Sequence, residues 1–206
     1  KINKEGWKLI WGNHEGYVLD FVDPDFPRSG LEFDLRRIIF WTYQSLKNDE
    51  IEYISKLPTK LEMELPSGQW ISAWHASTAG DRIGIYPDTT DDELTDLIDL
   101  QADVFLVGHT HQPLVRKYNG GIIINVGSVG LPFDGDKRAA YAQLTYHQDQ
   151  WSINIQRLDY NMPDAAEDFY QTDFIPHGGP LAELVLAELK LGWPQLSHWF
   201  KRYEKL

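Results

Sequence analysis

The chain has 206 residues, 42% of them apolar, no cysteine and a net charge of −12. This length and apolar content support a buried core and exclude general disorder, while the lack of cysteine removes disulfides, thiolate zinc sites and thiol catalysis. The acidic balance disfavours duplex nucleic acid as a ligand. No apolar run reaches the ~20 residues of a membrane span, and with no signal peptide in view the expected location is the cytoplasm.

In chain order, Leu9-Ile10-Trp11 reads as a strand running into Gly12-Asn13-His14-Glu15. The stretch 16–30, rich in Phe, Asp and Pro, reads as a loop over a site mouth. In it, Phe21 or Phe26 could stack on a ligand ring or simply pin the loop by aromatic packing. Apolar residues at helical spacing (Leu35, Ile38, Ile39, Leu46) predict a helix over 31–46, and a second helix over 50–57 ends at Pro58. Strands are predicted over 60–65 and 69–75, joined by Pro66-Ser67-Gly68. A helix over 91–100, capped by Thr89 or Thr90, precedes a strand over 103–107 that opens into Gly108-His109-Thr110-His111.

Strands then follow over 114–118, 121–126, 139–146 and 151–158, with Asn119-Gly120 as a hairpin turn. Helices between strands followed by an antiparallel run predict an α/β fold of two packed sheets flanked by helices. From Met162 onward the pattern is helical: Leu181, Leu184, Val185 and Leu189 form one stripe, and Trp193, Trp199, Phe200 and Tyr203 crowd the tail. This segment reads as an extension packing back on its own chain, its alternatives being a homodimer contact or a cap over the site. His177 and His198 carry no partner motif and read as structural.

Two imidazoles at i and i+2, His109 and His111, follow an apolar β-branched run through a glycine, a spacing that can aim both rings at neighbouring ions. Imidazole selects manganese, iron, cobalt, nickel or zinc over calcium or magnesium. Asn13 and His14 place an amide oxygen beside a titratable ring, so that one can hold a metal while the other moves a proton. His75 ends a third predicted strand; taken alone it reads as a hydrogen-bonded structural histidine. The joint occurrence of Gly-Asn-His-Glu and Gly-His-Thr-His in one chain points to a metal-phosphate site.

These strings, with the His75 segment, 87–94, Gly108-His109-Thr110-His111-Gln112-Pro113 and 125–132, come in an order that resembles the calcineurin-like metallophosphoesterases, in particular their small bacterial and archaeal phosphodiesterase-like branch. The resemblance runs from Trp7 to about Tyr160. It implies an αββα sandwich of two packed mixed sheets over residues 1–160, with 161–206 as a helical extension. It also implies two divalent ions (Mn, Fe, Zn, Co or Ni), Asn13, His75 and His109 holding one and His111 the other. His14 would contact the phosphate and protonate the leaving oxygen, and Glu15 would buttress the turn. The implied reaction is hydrolysis of a small phosphomonoester, a phosphodiester or a phosphoprotein by a metal-bridging hydroxide. Substrate-binding residues are not defined. Arg82 could pair with a phosphate or stay solvated, and Asn125 and Gly127-Ser128 could offer backbone donors to it or form a space-filling turn.

The family's upstream Asp-x-His and Gly-Asp-x-x-Asp motifs do not occur before Gly12, where Glu5 is the sole acid. The expectation is that this part of the domain lies upstream of Lys1, and that the 206 residues alone bind metal weakly and turn over little. The alternative is a metal-poor interaction scaffold with the same fold, as in the retromer subunit that resembles this family.

Overall fold

In the computed structural model, which describes residues 6–99 and 101–203, the central strand is β3 (Val104–Val107). All four of its residues are apolar because both its faces are covered and both its edges are paired. It lies parallel to β2 (Trp70–Trp74) on one side and to β5 (Gly121–Asn125) on the other. Antiparallel neighbours close the mixed sheet: β1 (Lys60–Glu64) beside β2, and β4 (Leu114–Tyr118) beside β5. The strand order is therefore β1-β2-β3-β5-β4. The outer strand β1 alternates Lys60, Glu62 and Glu64 along one side, a charged edge that discourages pairing with another chain.

The two-residue period of the strands sorts side chains into two cores. Phe105, Val107 and Ile123 pack on one face with Ile85 and Leu94. Val104, Ile71 and Ile124 pack on the other against Ala142, Leu144, Ile153 and Ile155. Those last four belong to the second sheet, an antiparallel hairpin of β6 (Ala139–His147) and β7 (Gln150–Leu158).

A third core is helical. Helices α1 (Asn13–Asp20), α2 (Gly30–Ser45) and α3 (Asn48–Ser55) enclose Phe21, which has no exposed surface and meets Phe26 edge-on at 4.9 Å between ring centres. The stretch 16–30 is therefore not a lid. Its first part continues α1 to Asp20, and Phe21 and Phe26 are core residues engaged with each other. Residues 9–11 form no strand either; the Trp11 N–H donates to the Pro58 carbonyl at 2.7 Å.

The helix expected over 91–100 is a single turn, α4 (Asp91–Leu94), capped by the Thr90 hydroxyl. Thr95, Asp96 and Asp99 are weak helix formers, and the two aspartates set negative charge where the carbonyl end of a longer helix would stand. Leu100 lies outside the described residues.

The C-terminal part comprises α5 (Met162–Gln171), α6 (Phe174–His177), a 3-10 turn (Gly179–Leu181), α7 (Ala182–Leu191) and α8 (Leu196–Tyr203). It returns to α2, where Trp41 meets Phe174 edge-on at 5.1 Å and donates its indole N–H to the Thr172 carbonyl at 3.3 Å. Gly179, at φ 74°, lets the chain pass so near α2 that a Cβ would stand 2.7 Å from the Arg37 Cβ. No helix among the described residues is long and apolar enough to cross a membrane.

Glu188 holds α8 in place. It is 3% exposed, and its Oε1 accepts from the N–H groups of Gln195 at 2.7 Å and Leu196 at 2.8 Å. Burial pushes its carboxyl above the usual glutamate value, while the two amides oppose that shift. Glu188→Ala leaves both amides without this acceptor and is expected to destabilise the protein by about 1–3 kcal/mol, with faster hydrogen exchange in α8. Glu188→Gln keeps an acceptor oxygen without the buried charge and is expected to stay near the wild-type urea midpoint.

Candidate metal centre

Parallel pairing of β2 and β3 sets their C-terminal ends side by side, and His75 and Gly108-His109 are the residues that leave those ends. The Gly108 N–H donates to the His75 carbonyl at 2.8 Å, which fastens one turn to the other. Asn13 and His14 arrive from the other layer as the first two residues of α1. Glu15 secures that helix start by accepting the Gly12 N–H at 2.8 Å, the buttress expected of it. The three strand ends predicted to carry these residues are thus corrected to two strand ends and one helix start.

Asn13, His75 and His109 meet. His75 Nε2 is 2.8 Å from Asn13 Oδ1 and 3.3 Å from His109 Nδ1, with the two imidazoles edge-to-face. Donors bound to a first-row ion at about 2.0–2.2 Å stand roughly 2.8–3.6 Å apart in tetrahedral or octahedral arrangements. Both separations fall in that interval, so His75 is spaced from Asn13 and from His109 as two ligands of one ion would be. Among the described residues no three His, Asp or Glu side chains are set to hold an ion, and the amide of Asn13 is what completes this trio.

The electrostatics suit the same ligands. Burial, reinforced by the positive charge His109 and His111 would carry, lowers His75 to about 4. Burial is also the main cause of the lowered values of His109, His111 and His14. Neutral imidazoles offer a lone pair without first losing a proton. In His111, Nδ1 lies 2.6 Å from the Leu131 carbonyl, so Nδ1 carries the hydrogen and Nε2 is left as the donor atom. His111 therefore does not join the trio; it faces the same cavity from one side, as His14 does from another.

Both histidines of the Gly-His-Thr-His turn have left-handed backbones, His109 at φ 63° and His111 at φ 58°. For residues with a Cβ that conformation costs ~1–2 kcal/mol each, and surrounding structure must impose it. Buried Asn125, the last residue of β5, does so. Its Nδ2 donates to the Gly108 carbonyl and the Thr110 hydroxyl, both at 2.8 Å, and its Oδ1 accepts the Gly127 N–H at 3.0 Å. Asn125 and Gly127 are thereby used up as structural braces, and Ser128 Oγ accepts from the N–H groups of Gly130 and Leu131.

Arg82 is not simply solvated: its guanidinium lies over the Tyr17 ring, 4.5 Å from the centre. Asp81 is a site residue that motif reading misses. Its carboxylate accepts the Trp11 indole N–H at 3.3 Å, and its charge favours the protonated forms of His75 and His109. An acid six residues beyond His75 has no spacing signature, and only the loop 76–84 brings it back.

Gly12 and Gly84 are spacers for the imidazoles. A Cβ on Gly12 would stand 2.8 Å from His75 Nδ1, and one on Gly84 would stand 2.9 Å from His109 Cδ2. Gly12→Ala must displace His75, so the affinity for Mn²⁺ is expected to fall by about 10–100-fold, measurable by titration calorimetry.

The sequence profile of the calcineurin-like phosphoesterase superfamily domain matches residues 2–149. An uncharacterized protein of Methanocaldococcus jannaschii is 28% identical over an alignment of 176 residues that covers 77% of this chain and 67% of that protein. The structure of a metallophosphoesterase from Sphaerobacter thermophilus aligns with a TM-score of 0.66 at 22% identity, over 89% of this chain and 76% of that one. A hypothetical protein from Pyrococcus horikoshii aligns with a TM-score of 0.69 at 16% identity, over 90% and 73%. These two structures share the fold, and the profile spans well over half of the sequence: the chain belongs to the calcineurin-like phosphoesterase superfamily.

Proposed function

We propose that the chain carries the site of a metal-dependent phosphoesterase that hydrolyses a phosphomonoester or phosphodiester. The observation that carries this reading is the meeting of Asn13 Oδ1, His75 Nε2 and His109 Nδ1 at ligand-to-ligand separations, with His14 and His111 facing the adjoining cavity. Bound divalent cations would supply charge neutralisation on the phosphate oxygens and a more acidic water. Asn13, His75 and His109 would hold one ion, and His111 would offer Nε2 to a second.

The chain's own residues do the rest. His14 is open to the cavity and loses affinity for a proton by burial. An anionic phosphoester beside it favours the imidazolium, which then donates its proton to the departing alkoxide. Asp81 balances positive charge behind His75 and His109. The net charge of −12 does not bar an anionic substrate, because surface charges more than ~10 Å away are screened.

The test is to strip the full native chain with a chelator, restore Mn²⁺, and assay p-nitrophenyl phosphate and its bis ester. Turnover that returns with the ion and is lost in His109→Ala is the expected result. No turnover with Mn²⁺, Fe²⁺, Co²⁺, Ni²⁺ or Zn²⁺ overturns the reading.

A further inference from the structure

A cavity of about 520 Å³ runs from the imidazoles to the C-terminal helix. Its lining includes His14, His109 and His111, and Leu196 and Phe200 of α8. The lining adds the apolar side chains of Ile39 from α2, Phe133 from the loop before β6, and Val185 from α7, with Tyr17, Thr42 and Tyr86 as polar members. A phosphoryl group occupies only the part of it beside the histidines. The rest has the size and character of a pocket for an organic group.

We infer that this cavity is the leaving-group pocket, walled by α8, and that it selects phosphoesters whose alcohol carries an apolar ring. The inference rests on the phosphoesterase reading and adds the substrate class to it. Three observations support it. The cavity is continuous with the candidate catalytic groups, so whatever fills it is attached to the phosphate. Phe200 is 37% exposed, a large aromatic surface at the pocket wall that a ring would cover. Of the polar side chains in the lining, Glu188 already accepts two backbone N–H groups through Oε1 and the Thr42 hydroxyl donates to the Ile38 carbonyl at 3.3 Å, which leaves fewer of them to satisfy the hydroxyls of a sugar-like alcohol. Leu196 and Phe200 also line an adjoining cavity of about 380 Å³ that reaches Arg82, so α8 shapes the space on both sides of His14.

The test compares phenylphosphonate with methylphosphonate, two non-hydrolysable ligands, binding to the Mn²⁺-loaded full native chain by titration calorimetry. Wild type is expected to prefer phenylphosphonate by about tenfold or more. Phe200→Ala is expected to remove most of that preference while methylphosphonate affinity stays within about twofold, and Phe200→Leu, which keeps an apolar wall, is expected to restore it. Circular dichroism checks that the variants fold. Equal wild-type affinity for the two ligands, binding of neither, or an equal loss for both in Phe200→Ala overturns the pocket. The ring preference without turnover of phenyl phosphate defeats the enzyme reading and leaves the pocket standing. Turnover without the preference does the reverse.

Discussion

His14→Ala is expected to lower kcat for an alkyl phosphate by about 10²–10⁴-fold, with Mn²⁺ affinity and thermal stability close to wild type. His14 sits at the second position of α1, reaches solvent through the cavity, and makes an edge contact to Tyr17 at 5.7 Å between ring centres. Alanine suits that helical position, so the fold has little reason to change. In the proposed site the donor to the ion is the neighbouring Asn13, so metal binding has little reason to change either. The informative comparison is between leaving groups. An alkoxide needs a proton as it departs, whereas p-nitrophenolate leaves without one. The loss should therefore be large for the alkyl ester and smaller for p-nitrophenyl phosphate. Equal losses for both esters would remove the proton-donor role and leave His14 a phosphate-binding group; unchanged rates would remove it from the site.

Asn125→Ala is expected to be the most destabilising single change near the site, by about 3 kcal/mol. The side chain is fully buried and makes three hydrogen bonds, to the Gly108 carbonyl, the Thr110 hydroxyl and the Gly127 N–H. Alanine takes the acceptor from the Gly127 N–H and one of two partners each from the Gly108 carbonyl, which also accepts the Thr110 N–H at 2.7 Å, and the Thr110 hydroxyl, which also accepts the Gln112 N–H at 3.4 Å. The same change releases the turn that holds His109 and His111 in left-handed conformations, so Mn²⁺ affinity should fall along with stability. Asn125→Asp separates the two effects. It keeps the shape and the acceptor but loses both donors, and it is expected to weaken the turn almost as much. Urea unfolding and Mn²⁺ titration on both variants provide the check. A stability change within ~0.5 kcal/mol for alanine would show that the turn does not depend on this brace.

What could be read without a structure follows the range of the physics involved. The strands over 60–64, 70–74, 104–107, 114–118 and 121–125 and the long helix α2 carry local signals: periodic apolar residues, Pro-Ser-Gly and Asn-Gly turns, and Pro58 as a stop. Hydrophobic burial at a fixed period is a property of consecutive residues, and it was legible there. The segment 9–11 misled because three apolar residues in a row are compatible with several extended environments. Here the backbone bonds to Pro58 rather than to a sheet. Stretch 16–30 misled because its Pro-Asp-Phe composition resembles an exposed loop. Phe21 is nonetheless wholly buried among Phe26, Phe33, Phe40 and Tyr43, partners that arrive mostly from α2.

The site divides along the same line. The sequence by itself determined the donor types: Gly-Asn-His-Glu and Gly-His-Thr-His carry imidazole and amide groups whose chemistry suits a first-row divalent ion, and their order marks the family. Tertiary structure alone decided which donors meet. Two parallel strand ends and one helix start bring Asn13, His75 and His109 together, set His111 aside with its Nδ1 on Leu131, and enlist Asn125 as a brace. It alone also brought Asp81 behind the imidazoles and α8 over the cavity. The reason is physical. A side chain's ligand chemistry is local to the residue, whereas the 3 Å separations that make a site depend on packing between segments that lie 62 and 34 residues apart along the chain.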